Sequence, residues 1–205
     1  MIDAMTDAPG CAGVFCDDFD GPALGATWDG KIGATLAFDM TMPVSAPQSF
    51  AATSPTGQPN GTQVTLYKTF APAFTAGTID VDVRINAYGS ATTRVTMARV
   101  VLGTGSIGIG THQNSSNLIE ITPGGITNMT TTTATLPFGT WTHVRLAVDI
   151  PARTATIFYD GTTVATATID ASTAAAPPRL EVGLPWIENT STPWVVDLDN
   201  LVFAY

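Results

Sequence analysis

The stretch GTWTHVRLAVDIPARTATIFYDGTTVATATI, residues 139–169, predicts three consecutive antiparallel strands joined by two turns. Apolar residues occupy every second position from Val144 to Val148, and this period of two places one face of a strand in a core. Pro151 ends that strand because proline has no N–H to donate to a neighbouring strand. Asp160 and Gly161 end the next strand, as a pair that readily accepts positive φ at both central positions of a hairpin turn. The stretch therefore indicates an antiparallel meander.

Three motifs in the sequence, one of them in this stretch, resemble parts of a known domain family. A Trp-x-His-Val-x-Leu strand at residues 141–146 is followed by a strand that ends in Tyr-Asp-Gly at residues 159–161. Cys16–Asp20 and Val195–Phe203 are similar to a first and a last strand. In this order the motifs resemble a concanavalin A-like lectin/glucanase (laminin-G-like) domain. The resemblance spans most of the chain and implies an all-β fold, an antiparallel two-sheet β-sandwich of the concanavalin A-like jelly-roll type.

Length and composition fit one domain of this kind. The chain has 205 residues, of which 44% are hydrophobic and only 12% charged. A sandwich of this size commonly folds as a single unit, and the composition argues against extensive disorder. We expect an N-terminal tail or linker at residues 1–13 and a single lectin-like domain at residues 14–205.

The charge excludes two classes of partner. The formal net charge is -9, and Lys31 and Lys68 are the only lysines. A basic patch for nucleic acid or for an anionic membrane surface is therefore not expected, and an acidic polysaccharide is disfavoured unless a metal intervenes. No apolar run approaches the roughly 20 residues that cross a bilayer, so membrane insertion is not expected.

Cys11 and Cys16 are the only cysteines, and their spacing suits a small disulfide loop in an exported protein. The alternative is a pair of free thiols in a reducing cytoplasm. Met1–Gly10 lacks the basic and apolar regions of a signal peptide, so export implies that a signal is absent from this sequence. On these grounds we expect a secreted or cell-surface location.

Two further predicted strands and a glycine-rich segment bear on the site. Apolar and charged residues alternate in Thr78–Ile85, which predicts a core face and a solvated face. In Arg94–Leu102 the odd offset between Arg94 and Arg99 predicts that these side chains point to opposite faces. Residues 103–110, GTGSIGIG, lack the helix and the Lys-Ser/Thr of a phosphate loop. They indicate a tight connection or a glycine-rich strand where backbones approach closely.

The carboxylates do not form a recognisable catalytic set. Catalytic members of the resembling superfamily carry Glu-x-Asp-x-x-Glu on one strand, which aims the acids at one cleft. The chain has only three glutamates, Glu120, Glu181 and Glu188, and none has a second acid at i+2 or i+4. We therefore predict no catalytic residues, and a divergent glycosidase or polysaccharide lyase is the weaker alternative.

A ligand is predicted on the free face of one sheet or at its rim. An indole packs on the apolar face of a sugar ring while polar side chains fix the hydroxyls. Trp186 is predicted to lie in a loop after the strand that begins at Leu180 and is the first candidate platform, and Trp194 is the next. Arg94, Glu120 and Glu181 alternate with apolar neighbours, which predicts that they lie on exposed sheet faces. The ligand-binding prediction is therefore Arg94, Glu120, Glu181 and Trp186.

A structural calcium ion is predicted where the first strand meets the last. Calcium prefers carboxylate and carbonyl oxygens, and Asp18, Asp20, Asp197 and Asp199 lie in the two terminal segments, which pair in the resembling fold. A buried carboxylate without a cation is costly. The alternative is that Asp18 and Asp20 cap turns and that Asp199 accepts hydrogen bonds from a loop.

These observations favour a non-catalytic, secreted or cell-surface bacterial lectin-like module that binds glycan or another extracellular ligand. The alternative is a structural or adhesive module, because a charge-poor surface rich in threonine and alanine suits self-association or contact with a neighbouring surface protein.

Overall fold

The computed structural model describes residue 11, residues 13–90 and residues 92–205, so most of the predicted tail at 1–13 lies outside the described residues. The described chain contains two antiparallel sheets and no helix. The eight-stranded sheet consists of β1 (Phe15–Asp17), β3 (Leu36–Asp39), β4 (Ser49–Thr53), β6 (Ala76–Ala87), β11 (Thr142–Asp149), β12 (Thr154–Tyr159), β13 (Thr162–Thr168) and β15 (Val195–Ala204). The seven-stranded sheet consists of β2 (Gly30–Ile32), β5 (Thr62–Thr69), β7 (Val95–Leu102), β8 (Gly105–His112), β9 (Ser115–Ile121), β10 (Thr127–Thr132) and β14 (Pro178–Ile187).

In each sheet, some neighbouring strands are consecutive in sequence and others are far apart in sequence. The order is β13-β12-β11-β6-β15-β4-β3 in the first sheet, with β1 paired to β15, and β10-β9-β8-β7-β14-β5-β2 in the second. Neighbours such as β11, β12 and β13 follow one another in sequence, whereas β6 and β15 pair across most of the chain. The structure thus confirms the all-β two-sheet sandwich. In the described part of the chain, no helix has the length and apolar character needed to cross a membrane.

The meander forms with the predicted alternation. Leu146 is fully buried and lies opposite Ile157 on one side and Ile79 on the other. Asp160 and Gly161 form the hairpin turn with φ values of 47° and 77°. The positive φ at both positions matches the right-handed twist of the flanking strands. One face of this meander therefore enters the core between the sheets.

The chain ends meet in the eight-stranded sheet. Phe15 lies opposite Phe203 and Asp17 opposite Leu201, so the first strand pairs antiparallel with the last. Cys11 and Cys16 form a disulfide whose Cα atoms are 5.9 Å apart, which confirms the predicted pairing. The disulfide ties the segment before β1 to the strand itself.

The glycine-rich segment is a strand. β8 pairs with β7 and β9, and its glycines permit close approach of neighbouring atoms. A Cβ on Gly108 would lie 2.7 Å from the Cβ of Arg99, and a Cβ on Gly110 would lie 2.5 Å from Cδ1 of Ile119. Both interpretations of residues 103–110 therefore hold in part: Gly103 and Thr104 form the tight connection from β7, and the glycine-rich strand begins at Gly105.

The polar face of β6 is largely covered, which corrects the prediction of a solvated face. Asp80 is 7% exposed and Arg84 only 3%. Residues 40–48, the loop between β3 and β4, contribute to this cover, since Arg84 Nη1 donates to the carbonyl of Met42. Trp141 Nε1 donates to the same carbonyl. Alternation predicted correctly which side chains leave the core, but it does not reveal what lies above them.

Candidate functional site

A cavity of about 80 Å³ lies on the face of the seven-stranded sheet that points away from the core. We call this cavity and its lining residues the outer groove. Residues from or next to five neighbouring strands line it: Arg94, Thr96, Arg99, Ser106, Gly108, Ile119, Ile121, Thr127 and Trp186. Gly108 adds no side chain to its floor. The lining combines an aromatic ring, cationic side chains and hydroxyl groups, which is the chemistry that a sugar requires.

Arg94 and Trp186, two of the four residues predicted to bind a ligand, come together at this groove. The guanidinium carbon of Arg94 lies 4.8 Å from the centroid of the Trp186 ring. Nη1 of Arg94 is 2.7 Å from Sδ of Met129, and the backbone N–H of Arg94 donates to Glu188 at 2.9 Å. Stacking on the indole holds the guanidinium plane over the groove. The two residues thus form one surface although they are far apart in sequence.

Arg94 and Arg99 both line the groove, so the prediction of opposite faces is wrong. The register of β7 against β8 shifts between Thr96 and Ala98. Met97 and Ala98 are consecutive and both lie in the core cluster, each 1% exposed. Such a β-bulge inserts one residue and reverses the alternation beyond it. The odd offset in sequence therefore becomes a shared face in the structure.

Glu181 lies on the predicted face but is not exposed. Its side chain is 0% exposed and forms ion pairs with Nε of Arg99 at 2.5 Å and with Nη2 of Arg179. Arg179 in turn lies 5.4 Å from the centroid of the Tyr67 ring. Because the carboxylate is held by two guanidinium groups, its role at the groove is to position arginines. Nothing in the alternation of β14 signals this pairing.

Glu120 lies on the opposite face of its sheet, which corrects its predicted location on a free face. It is 3% exposed and is paired in register with the core residue Ile107. Its carboxylate accepts hydrogen bonds from the Asp170 backbone N–H at 2.9 Å, from Thr173 Oγ1 at 2.7 Å and from Asn128 Nδ2 at 3.0 Å. These donors satisfy the buried charge. Glu120 fastens the 170–173 segment to β9 and does not reach the outer groove.

His112 lies close enough to Arg94 and Glu188 to interact with their charges, which sequence reasoning missed. It ends β8 on the same face as Gly108 and Gly110. Burial lowers the pKa of His112, the charge of Arg94 lowers it further, and Glu188 opposes this shift. His112 is therefore predominantly neutral at pH 7 and offers both a donor and an acceptor nitrogen. Its position in a Gly/Asn/Ser segment gave no signal of this arrangement.

Each of the four aspartates of the calcium prediction has hydrogen-bond or ion-pair partners within the protein. Asp197 is buried against Arg84, which donates from Nε at 3.0 Å, so a cation from β6 already faces it. Asp199 Oδ2 accepts the backbone N–H groups of Val44 at 2.8 Å and Ser45 at 2.9 Å. Asp199 Oδ1 accepts Ser45 Oγ at 2.7 Å and the N–H of Asn200 at 2.8 Å. Burial raises the pKa of Asp199 to about 6.

The other two carboxylates accept backbone N–H groups, Asp18 within its own turn and Asp20 from the 40–48 loop. Asp18 Oδ1 accepts the N–H of Asp20 at 3.1 Å, and Asp20 Oδ1 accepts the N–H of Gln48 at 3.0 Å. In the described ranges, no group of three or more His, Cys, Asp and Glu side chains is placed to hold a metal ion. The donors around Asp199 occupy both of its oxygens, so a calcium ion there requires the 40–48 loop to turn some of its N–H groups away.

The calcium ion therefore stays a prediction, and thermal unfolding tests it. An ion that binds only the folded state at 100 times its dissociation constant adds about 2.7 kcal/mol to the free energy of unfolding. Melting curves in calcium chloride should then lie above those in chelator, and Asp199→Asn should shrink the difference. Magnesium chloride at the same ionic strength is the control. Identical curves, with no metal in elemental analysis, would remove the ion.

Comparison with known proteins shows the fold. No family profile and no curated protein matches the sequence. Among solved structures, an endo-β-1,4-glucuronan lyase from the fungus Trichoderma reesei is similar with a TM-score of 0.72 and 15% identity, over 94% of this chain and 95% of that one. The cellulose-induced protein Cip1 is similar with a TM-score of 0.65 and 19% identity, over 93% and 96%.

A third similar structure is the binding domain of botulinum neurotoxin DC in complex with SialylT, with a TM-score of 0.62 and 11% identity. The match covers 85% of this chain and 41% of that one. At these identities the likeness concerns the fold alone. Together with the two-sheet topology and the paired terminal strands, it establishes that this chain has the concanavalin A-like jelly-roll fold.

Proposed function

We propose that the protein is a non-catalytic glycan-binding module of the extracellular space and that its site is the outer groove. The observation that carries the proposal is the pairing of Arg94 with Trp186 at 4.8 Å beside the cavity. The indole supplies an apolar platform, and the guanidinium supplies N–H donors next to it. Hydroxyls of Thr96, Ser106 and Thr127 add groups that exchange hydrogen bonds with a sugar.

Two further findings support this assignment. The Cys11–Cys16 disulfide is typical of an oxidising compartment, where surface glycans are found. Similar folds occur in a lyase that acts on glucuronan and in a neurotoxin domain in complex with SialylT. The carbohydrate chemistry of these proteins agrees with a glycan ligand, and no pair of acids lines the outer groove within the described residues.

Binding of a glycan array by the purified protein, followed by calorimetry on the best ligand, tests the proposal. We expect Trp186→Ala to weaken binding by roughly 10- to 100-fold, because it removes both the sugar platform and the support of Arg94. Phe138→Ala is the matched control, since Phe138 is an exposed aromatic residue outside the groove lining, 62% exposed. Equal affinity of wild type and Trp186→Ala would contradict the proposed site.

The same samples decide between this function and its alternatives. Release of reducing ends from polysaccharide above a heat-killed control would support the divergent glycosidase or lyase. Light scattering that shows assembly, together with no glycan binding, would support the structural or adhesive module. Glycan binding by a monomer without product release is the result that we expect.

A further inference from the structure

We propose that the outer groove is selective for a sugar acid, whose carboxylate binds Arg94 while the ring of the same sugar packs on Trp186. The inference rests on the proposed glycan-binding function and names the class of its ligand. It concerns the shared chemistry of hexuronic acids and sialic acids, a carboxylate attached to a sugar ring.

The hydrogen-bond partners of Arg94 provide the first argument. Within the described residues, Arg94 forms no ion pair, whereas Arg99 and Arg179 are both bound to Glu181. Nε of Arg94 is buried without a hydrogen-bond partner, and Nη1 contacts only the thioether of Met129, a weak acceptor. An unsatisfied guanidinium donor is costly, and a carboxylate is the acceptor that matches its planar fork. The groove thus presents charged donors that await an anionic group.

Glu188, an acid beside Arg94, does not take this place. Glu188 accepts the backbone N–H of Arg94, and it makes no ion pair with the guanidinium among the described residues. Glu188 therefore does not neutralise the guanidinium of Arg94.

The geometry places the carboxylate and the sugar ring together. The guanidinium lies over the indole at 4.8 Å, and the cavity beside them encloses about 80 Å³. That volume suits a carboxylate and one edge of a sugar ring, with the rest of the ring against the part of Trp186 that lines the cavity beside the guanidinium. Thr96 and Ser106 line the same cavity and meet ring hydroxyls.

The acidic balance of the whole chain does not oppose this selectivity. The net charge is -9, yet three of the six arginines, Arg94, Arg99 and Arg179, lie on the outer face of one sheet. At physiological ionic strength charges are screened over about 8 Å. A bound carboxylate therefore senses chiefly the arginines of the groove. This local field revises the expectation, drawn from composition, that acidic glycans are disfavoured.

Calorimetry with four soluble probes tests the inference: a glucuronic acid tetrasaccharide, the same tetrasaccharide with its carboxyl groups reduced to alcohols, sialyllactose, and a sulfated neutral tetrasaccharide. We expect one of the two sugar acids to bind at least tenfold more tightly than the reduced compound. The sugar acid that binds more tightly shows whether the ligand's carboxylate belongs to a hexuronic acid or to a sialic acid. Arg94→Gln should weaken acid binding by roughly 10- to 100-fold, because a hydrogen bond to a charged group is lost.

Controls separate this inference from the proposed function. Arg145→Gln removes an arginine from the other sheet, whose side chain is 51% exposed, and should leave binding unchanged. Equal binding of the acid and its reduced counterpart, both weakened by Trp186→Ala, would overturn the inference and leave the proposed function standing. Tighter binding of the sulfated probe than of both sugar acids would also overturn it. Binding of no probe and of no glycan on the array would refute both.

Discussion

Replacing Arg84 by methionine is expected to lower the free energy of unfolding by about 3–5 kcal/mol at pH 7. Arg84 is 3% exposed and forms ion pairs with Asp39 at 2.8 Å and with Asp197 at 2.5 Å. Methionine fills much of the volume but leaves the buried Asp197 without its cation and close to Asp39. Breaking one side of a buried ion pair is costly because the remaining charge stays desolvated.

The penalty should shrink as the pH falls. Burial raises the pKa of Asp197 even with Arg84 present, and Arg84 opposes that shift. Without Arg84 the folded-state pKa rises further above the unfolded value, so the folded state takes up a proton more readily. The unfavourable contribution of Asp197 therefore grows as the pH rises through the unfolded pKa towards the folded one, and it disappears below both values.

Urea unfolding of wild type and Arg84→Met at pH 7 and pH 5 measures both effects. Arg145→Met is the matched control, because its side chain is 51% exposed and its partner Asp80, on the same sheet face, keeps the hydroxyl of Thr78 as a donor at 2.8 Å. We expect this control to lose less than about 1 kcal/mol at either pH. A loss for Arg84→Met that is equally large at pH 5 and pH 7 would contradict the electrostatic account and point to packing instead.

Replacing Trp194 by alanine is expected to destabilise the fold by about 3–5 kcal/mol. Trp194 is 0% exposed, contacts Tyr88 edge-on at 5.4 Å between ring centroids, and donates from Nε1 to Thr93 Oγ1 at 3.2 Å. The substitution leaves a large cavity and removes the donor of a buried hydroxyl. Its position in the core also corrects the suggestion that Trp194 is a second platform at the rim.

Comparison with Trp186→Ala makes this prediction specific. Trp186 lines the groove, so its loss should reduce ligand affinity while it lowers stability by less than the loss of Trp194 does. The measurement is urea unfolding of both variants together with calorimetry of Trp194→Ala at a temperature where it is folded. Near wild-type stability of Trp194→Ala would show that this end of the sandwich is not packed as described.

The alternation of apolar and polar residues predicted the central strands well, because one face of each strand lies in the core and the other face lies outside it. Val144 and Ile79, for example, occupy every-second positions and are both nearly fully buried. The bulge at Met97 was missed because Ala98 is small enough to suit either face, so the consecutive apolar pair Met97 and Ala98 did not signal that the alternation reverses before Arg99. Its presence depends on pairing with β8 and β14, which is a long-range property.

The site was predictable only in part for the same reason. Arg94 and Trp186 were each chosen on local grounds, and the structure brings them into contact. Glu120 was chosen by the same alternation. That pattern shows that neighbouring side chains point to opposite faces of a strand, but it does not show which face lies in the core. The flanking apolar residues Ile119 and Ile121 line the groove, so the acid between them turns inward. Glu120 was assigned to the exposed face because its apolar neighbours were expected in the core, whereas they line the groove.

The pairing of β1 with β15 has a mechanical consequence. Since Phe15 lies opposite Phe203 in an antiparallel pair, the beginning of β1 and the end of β15 leave the sheet on the same side. A force that separates these two points acts across the strands, so it ruptures their hydrogen bonds one after another rather than all at once. The disulfide transmits a pull at Cys11 directly to Cys16, which lies opposite Val202 in the middle of the pair. Tension through the two ends should therefore peel β1 away at low load while the two sheets and the outer groove remain intact.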